Sequence, residues 1–204
     1  ARQENCLNEV LIIASALSVQ DPRERPFDKA EAADRAHAQF VDDKSDFMAY
    51  LKLWQFFSDA IEHKKSNSKL AQELAAQFLS QRRLREWRDI HSQLHTVVAE
   101  HGWRLNTTPA SYEQLHLSML SGLLGNIGCK LEEGSSDRSS GEYLGARSIK
   151  FFAHPGAHLT KKPGKWIVAS ELVETTRLFG RGIANIDPQW LEQVGGHLLK
   201  KQLL

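Results

Sequence analysis

The sequence predicts an α+β fold: an N-terminal bundle of helices, then a small closed barrel of five short strands, then one last helix. Three observations carry this. Up to about residue 125, apolar residues recur at three- and four-residue spacing between capping and breaking residues. Beyond it the texture changes to short runs of β-branched and aromatic residues separated by glycine. Asp187 and Pro188 then reopen a helical pattern, with proline at the first position, where a missing N–H costs nothing.

Taken in order, "CLNEVLIIASALSV" places Leu7, Val10, Leu11, Ala14 and Leu17 on one helical stripe. "QDPRERPFD" breaks it, and Pro22 and Pro26 hold Arg23, Glu24 and Arg25 in an extended loop. "DKAEAADRAHAQFVD" is an alanine-rich helix. Asp46 is the expected cap of "FMAYLKLWQFFSDAI", which is apolar almost all round and so predicted to be deeply buried. After the polar "HKKSNSK", one long helix is expected over about 70–101, ended by Gly102. "NTTPASYEQLHLSMLSGLL" opens with capping residues and is helical. Strands are expected at 127–131, 143–147, 149–154, 166–175 and 178–186, and "EEGSSDRSSGE" reads as a mobile hairpin tip. Five short strands with glycine kinks favour closure, because a flat sheet would leave its edges bare. An OB-fold and an SH3-like barrel both satisfy that pattern. The expected division is a helical domain over 1–118, incomplete at its N-terminal side, and a barrel with its C-terminal helix over 119–204. No repeat of fixed period occurs.

The bulk numbers bound the function. At 204 residues, 41% hydrophobic and 25% charged, the chain has the make-up of a water-soluble globular protein. "LIIASAL" stops after seven residues, too short to span a bilayer, and no charged-then-apolar leader opens the chain. Two isolated cysteines, Cys6 and Cys129, form no CxxC and suit a reducing, cytoplasmic setting. The net charge of +1 hides an asymmetry: residues 143–204 carry nine Lys and Arg against four Asp and Glu. A basic C-terminal third on a slightly acidic body points toward an anionic partner, although uneven surface charge accounts for it equally well.

The candidate site residues are basic. On a helical wheel Arg82, Arg85 and Arg88 fall outside the apolar arc of the "FLSQRRLREWRDIHSQL" helix, as a solvated face requires, whereas Arg83 falls in its middle. An arginine there must snorkel, pair with a carboxylate or meet a ligand phosphate, and a structural ion pair is the commonest of these. The proline-stiffened loop presents Arg23 and Arg25 at low entropic cost, or simply turns them to water. In the barrel, Lys161, Lys162 and Lys165 share one loop, and Thr175, Thr176, Arg177 and Arg181 lie at or near a strand-to-strand turn. Such loops suit sequence-tolerant tracking of a single-stranded backbone. His91 and His95 have the i, i+4 spacing of a metal pair, but no third ligand is evident, so they read as core-edge histidines. No phosphate-binding loop, nucleophile elbow or dinucleotide fingerprint occurs, so neither an NTP site nor a catalytic constellation is expected in this chain.

"NEVLIIASALSVQDPRERP", "LREWRDIHSQL" and "KKPGKWIVASELVETTRLFGRGIANIDPQWLE" together resemble the C-terminal region of DEAH-box RNA helicases, most of all the bacterial HrpA-like group, over nearly the whole chain. The resemblance implies a ratchet-like helical domain followed by an OB-fold. In that family ATP and Mg are bound by RecA-like domains, which this chain lacks along with the winged helix, and the motor moves 3′-to-5′ on single-stranded RNA. Expected partners are therefore single-stranded RNA, the RecA-like and winged-helix domains, and in some members an activator protein or a ribosome–mRNA complex; a membrane is not among them. Carried over by motif, RNA contacts fall to Arg23, Arg25, Arg83 and Arg85, with Arg82 beside them, and to Lys161, Lys162, Thr175, Thr176 and Arg181. A module with no catalysis of its own, guiding RNA past a motor, is the resulting expectation. A protein-docking scaffold whose arginines are ion pairs is the alternative.

Overall fold

The structure, a computed structural model, describes residues 1–64, 66–131, 141–156, 159 and 162–198. Among the described residues six α-helices precede the barrel: α1 (Leu7–Leu17), α2 (Ala30–His37), α3 (Asp46–Glu62), α4 (Asn67–Ala76), α5 (Gln81–Glu100) and α6 (Tyr112–Gly122). The strands are β1 (Ile127–Lys130), β2 (Glu142–Gly145), β3 (Lys150–Ala153), β4 (Trp166–Glu174) and β5 (Leu178–Asn185), followed by α7 (Pro188–Gly195). All five strands form where the residue pattern places them. The "EEGSSDRSSGE" tip lies almost wholly outside the described residues.

The helical core is built on Ile12, Phe40, Leu53, Phe57, Leu74, Leu84 and Trp87. Trp87 is fully buried, so its indole N–H needs a partner inside the protein. It donates to the Ile12 carbonyl and to Ser15 Oγ, each at 3.0 Å, which pins α5 to α1. Cys6 is buried and Cys129 half-buried, with no disulfide between them.

Two local expectations are corrected. The helix expected over 70–101 is two helices. Phe78 has φ 53°, a left-handed conformation no helix interior accepts, and Ser80 caps α5. The break is filled by the proline loop: Glu24 N–H donates to the Phe78 carbonyl and Ser80 N–H to the Pro22 carbonyl, each at 2.8 Å. Leu74 and Leu84 both face the same core, so the apolar rhythm runs through the interruption and conceals it. Second, Ser45 and not Asp46 caps α3, accepting from Phe47 N–H at 3.2 Å and Met48 N–H at 3.3 Å. Asp46 is buried, and its carboxylate accepts the Ile183 N–H of β5 at 2.8 Å.

The barrel closes in the order β1-β2-β3-β5-β4, antiparallel except between β3 and β5. Tyr143, Phe151, Ile167 and Ile183 fill it. A Cβ on Gly128 would lie 2.6 Å from the Phe151 ring, so only glycine fits under that side chain. Along β4 and β5 the inside-outside alternation slips once. The pair of Ala169 and Ile183 faces in, and so does the pair of Leu172 and Gly180, three positions away rather than two or four. Gly182, with φ 61°, sits between them and takes up the slip. One outer wall, carrying Val168 and Ala184, is buried against Ile13, Phe47, Leu115, Leu120 and Leu191 of the helices.

Polar contacts complete the joint. Asn185 N–H donates to the Lys44 carbonyl at 2.8 Å, and the Tyr112 hydroxyl donates to the Asn185 carbonyl at 2.7 Å. His116, fully buried and stacked on Tyr112 at 3.7 Å, has Nδ1 2.6 Å from the Tyr112 carbonyl and Nε2 2.5 Å from Ser45 Oγ. The carbonyl can only accept, so Nδ1 carries the proton and Nε2 accepts from the Ser45 hydroxyl. That leaves the Ser45 oxygen to accept the two amides at the start of α3.

Burial lowers the His116 pKa from 6.5 to about 4. The unfolded chain takes up this proton below pH 6.5 and the folded chain only near pH 4. The stability that neutral His116 provides is therefore full above pH 6.5 and falls by about 3 kcal/mol as the pH drops to about 4. Urea melts of the wild type across that range, referenced to His116→Asn, are expected to show this extra slope. Gly182→Ala would force a side chain into the left-handed region and against Ser170; a loss of about 2 kcal/mol is expected in the same melts.

Candidate nucleic-acid interface

Arg83 is half-buried, as its place in the apolar stripe requires, and it forms no carboxylate pair among the described residues. Its Nη1 donates to the backbone carbonyl of Asp21 at 3.0 Å. Asp21 in turn grips Arg23 through both carboxylate oxygens, at 3.0 Å to Nε and 2.9 Å to Nη2. The Arg23 side chain is 3% exposed and its guanidinium lies 5.4 Å above the Tyr50 ring. Burial works against the Arg23 charge and Asp21 more than restores it; burial, with Asp21 nearby, pushes the Tyr50 hydroxyl up to about 12. Arg23 Nη1 and Arg83 Nε are buried without a hydrogen-bond partner among the described residues. This chain of contacts clamps the proline loop into the gap between α4 and α5. The loop was expected to present two arginines. It presents Arg25 only, and Arg23 is part of the core.

Arg25 is exposed and doubly hydrogen-bonded to Asp34, at 2.7 and 2.9 Å. On α5, Arg82 is exposed and meets Glu86 at 3.2 Å. Arg85 and Arg88 are exposed one helical turn apart, and neither forms an ion pair among the described residues. Of the barrel candidates, Lys161 lies outside the described residues and Lys162 is exposed. Thr175 and Thr176 form the exposed β4–β5 turn, closed by Thr175 N–H donating to the Arg177 carbonyl at 2.9 Å. Arg181, on β5, is 3.9 Å from Glu171. The α5 arginines and the barrel residues form two groups: α5 packs on α1 and α4, whereas the barrel is held by α3, which also reaches α1.

Beside the turn lies a set of side chains that basic-residue reasoning passed over. Phe152 and Phe179 are register partners across the parallel β3–β5 pair, 6.4 Å apart, with His154 5.6 Å from Phe179 and Arg177 4.9 Å above Phe152. The dipeptide of Phe151 and Phe152 was the available signal, since adjacent strand residues cannot both face inward. His154 is lowered by burial and by Arg181. Among the described residues, no group of three or more His, Cys, Asp or Glu could hold a metal ion, so His91 and His95 remain a pair beside Trp54. No described helix is long and apolar enough to cross a membrane.

Residues 1–50 match the model of the helicase-associated, ratchet-like domain, and residues 115–198 match that of the oligonucleotide/oligosaccharide-binding OB-fold. A helical ratchet-like unit joined to an OB-fold is thus the class that fold and sequence define. Within it, the chain is 45% identical over 201 residues to the ATP-dependent RNA helicase HrpA of Escherichia coli (strain K12), covering 98% of this chain and 15% of that protein. It is 43% identical over 196 residues to an HrpA homolog of Haemophilus influenzae, covering 96% of this chain and 14% of that protein. The chain thus matches two helicase-associated domain models in order, is similar to the HrpA helicases over nearly its whole length, and spans about one seventh of the length of these relatives.

Asp21→Ala would leave Arg23 charged and unpaired in the core. A loss of about 3 kcal/mol is expected by urea unfolding, with Arg25→Ala nearly neutral in the same assay because its pair with Asp34 is exposed.

Proposed function

We propose that this chain is an RNA-binding accessory module of an ATP-dependent helicase, which holds single-stranded RNA by its backbone while a motor elsewhere in the protein steps along it. The supporting observation is the α5 face, where Arg85 and Arg88 stand exposed beside Arg82 with no ion pair of their own among the described residues. Unpaired surface arginines one turn apart on a rigid helix present two guanidinium groups to successive phosphates at little conformational cost. The exposed Lys162 and the Thr175–Thr176 turn add donors on the barrel. The role is mechanical: the module fixes strand path and direction, and ATP and its Mg ion belong to the motor.

Phosphate contacts release counterions, so binding is weak, tolerant of sequence and sensitive to salt. Fluorescence anisotropy with a labelled single-stranded RNA tests this. The double change Arg85→Ala and Arg88→Ala is expected to weaken binding about tenfold and flatten the salt slope by about 1.4, without moving the thermal midpoint. Arg83→Ala is expected to lower the midpoint, because it releases the clamp on the Asp21 loop. Absence of RNA binding at any salt would instead favour docking of the motor or an activator, for which the fully exposed Phe27 beside the proline loop is a candidate contact.

A further inference from the structure

We propose that the outer wall of the barrel formed by β3 and β5 is a base-stacking platform: Phe152, Phe179 and His154 take unpaired nucleobases of a single strand, and Arg177 and Arg181 hold the phosphates beside them. This rests on the RNA-binding reading above and adds contact with bases, which the phosphate contacts of α5 do not supply.

Placement is the first support. Phe151 and Ala153 face the barrel core, so Phe152 and His154 face out; Gly180 faces in against Phe151, so Phe179 faces out. The three rings form a continuous row, Phe152 to Phe179 at 6.4 Å and Phe179 to His154 at 5.6 Å. This wall differs from the one carrying Val168 and Ala184, which the helices cover. A cross-strand pair that merely strengthened barrel closure would need only the two phenylalanines. The row continues past them to a half-buried histidine.

Charge is the second support. Arg177 lies over the Phe152 ring at 4.9 Å, at one end of the row. Arg181 lies near His154, whose pKa it helps to lower, so the ring is neutral and suited to stacking. Two of the nearby carboxylates are already engaged: Glu142 with Lys150 at 3.5 Å, and Glu171 with Arg181 at 3.9 Å. That second pair is long and exposed on both sides, so Arg181 loses little by exchanging Glu171 for a phosphate. Rings flanked by arginine suit a strand with flat apolar bases along an anionic backbone. Because every base offers such a face, the site would accept any sequence and would not read the ribose 2′-hydroxyl.

The test is fluorescence anisotropy of the folded chain with a labelled ten-nucleotide RNA and an abasic strand carrying the same number of phosphates. Wild type, Phe152→Leu/Phe179→Leu and Arg85→Ala/Arg88→Ala are compared, with leucine keeping the wall apolar. The wild type is expected to prefer the base-bearing strand. The phenylalanine double variant is expected to weaken that strand about 5- to 100-fold and leave the abasic strand unchanged. Independently, Phe179→Trp is expected to lose indole emission with the RNA but not with the abasic strand. Equal binding of both strands by the wild type overturns the platform while leaving phosphate binding intact. So does a double variant that binds like wild type, or a tryptophan whose emission the RNA does not change. Failure of both strands to bind overturns the RNA-binding reading itself.

Discussion

The arrangement depends on one hydrogen bond across a buried joint, from the Ile183 amide of β5 to the buried carboxylate of Asp46 on α3. A carboxylate that deep is tolerated only when donors meet it, and an amide beside a strand kink needs an acceptor. Each group answers the other. Around them Ser45 bridges to Ala184, Asn185 to Lys44 and Tyr112 to Asn185, and His116 orders the Ser45 hydroxyl. With Val168 and Ala184 sealed beneath helical side chains, the barrel and bundle share a core. The joint fixes how the α5 face and the barrel turn are disposed, which matters if one strand is to meet both.

Arginine serves two separate purposes in this chain. Arg23 and Arg83 are internal fasteners that hold the proline loop in the gap between α4 and α5 through the two ends of Asp21, its carboxylate and its carbonyl. Arg85 and Arg88 lie only a few residues away but on the wet side of the helix. Proximity in sequence therefore says little about role, whereas angular position on the helix says much. Its angle set Arg83 apart, with snorkelling, a carboxylate or a ligand phosphate as the expected outcomes; a backbone carbonyl takes its Nη1 instead.

Features that repeat along the chain were legible in the sequence; features set by a distant partner were not. All five strands follow from β-forming runs between glycines, and α7 from the pairing of Asp187 and Pro188. The break at Phe78 was hidden because the core asks for the same apolar rhythm on both sides, and the loop that fills it lies more than fifty residues earlier. Asp46 looked like a cap because its real partner, Ile183, is 137 residues away. Arg23 looked presented because nothing local announces that Asp21 folds back on it above Tyr50. The aromatic row escaped notice because strand rings usually signal interior, and it is the slip at Gly182 that sends Phe179 the other way.

That slip lets one hairpin serve two customers. Before it on β4 and after it on β5, residues are committed to the bundle and bear little change. On the far side they answer only to the barrel interior and to solvent. The surface chemistry of the distal half of the hairpin can therefore change without loosening the joint. A one-residue deletion between Gly182 and Phe179 would instead turn Phe179 inward, leaving Phe152 on β3 and His154 just beyond it without the ring between them.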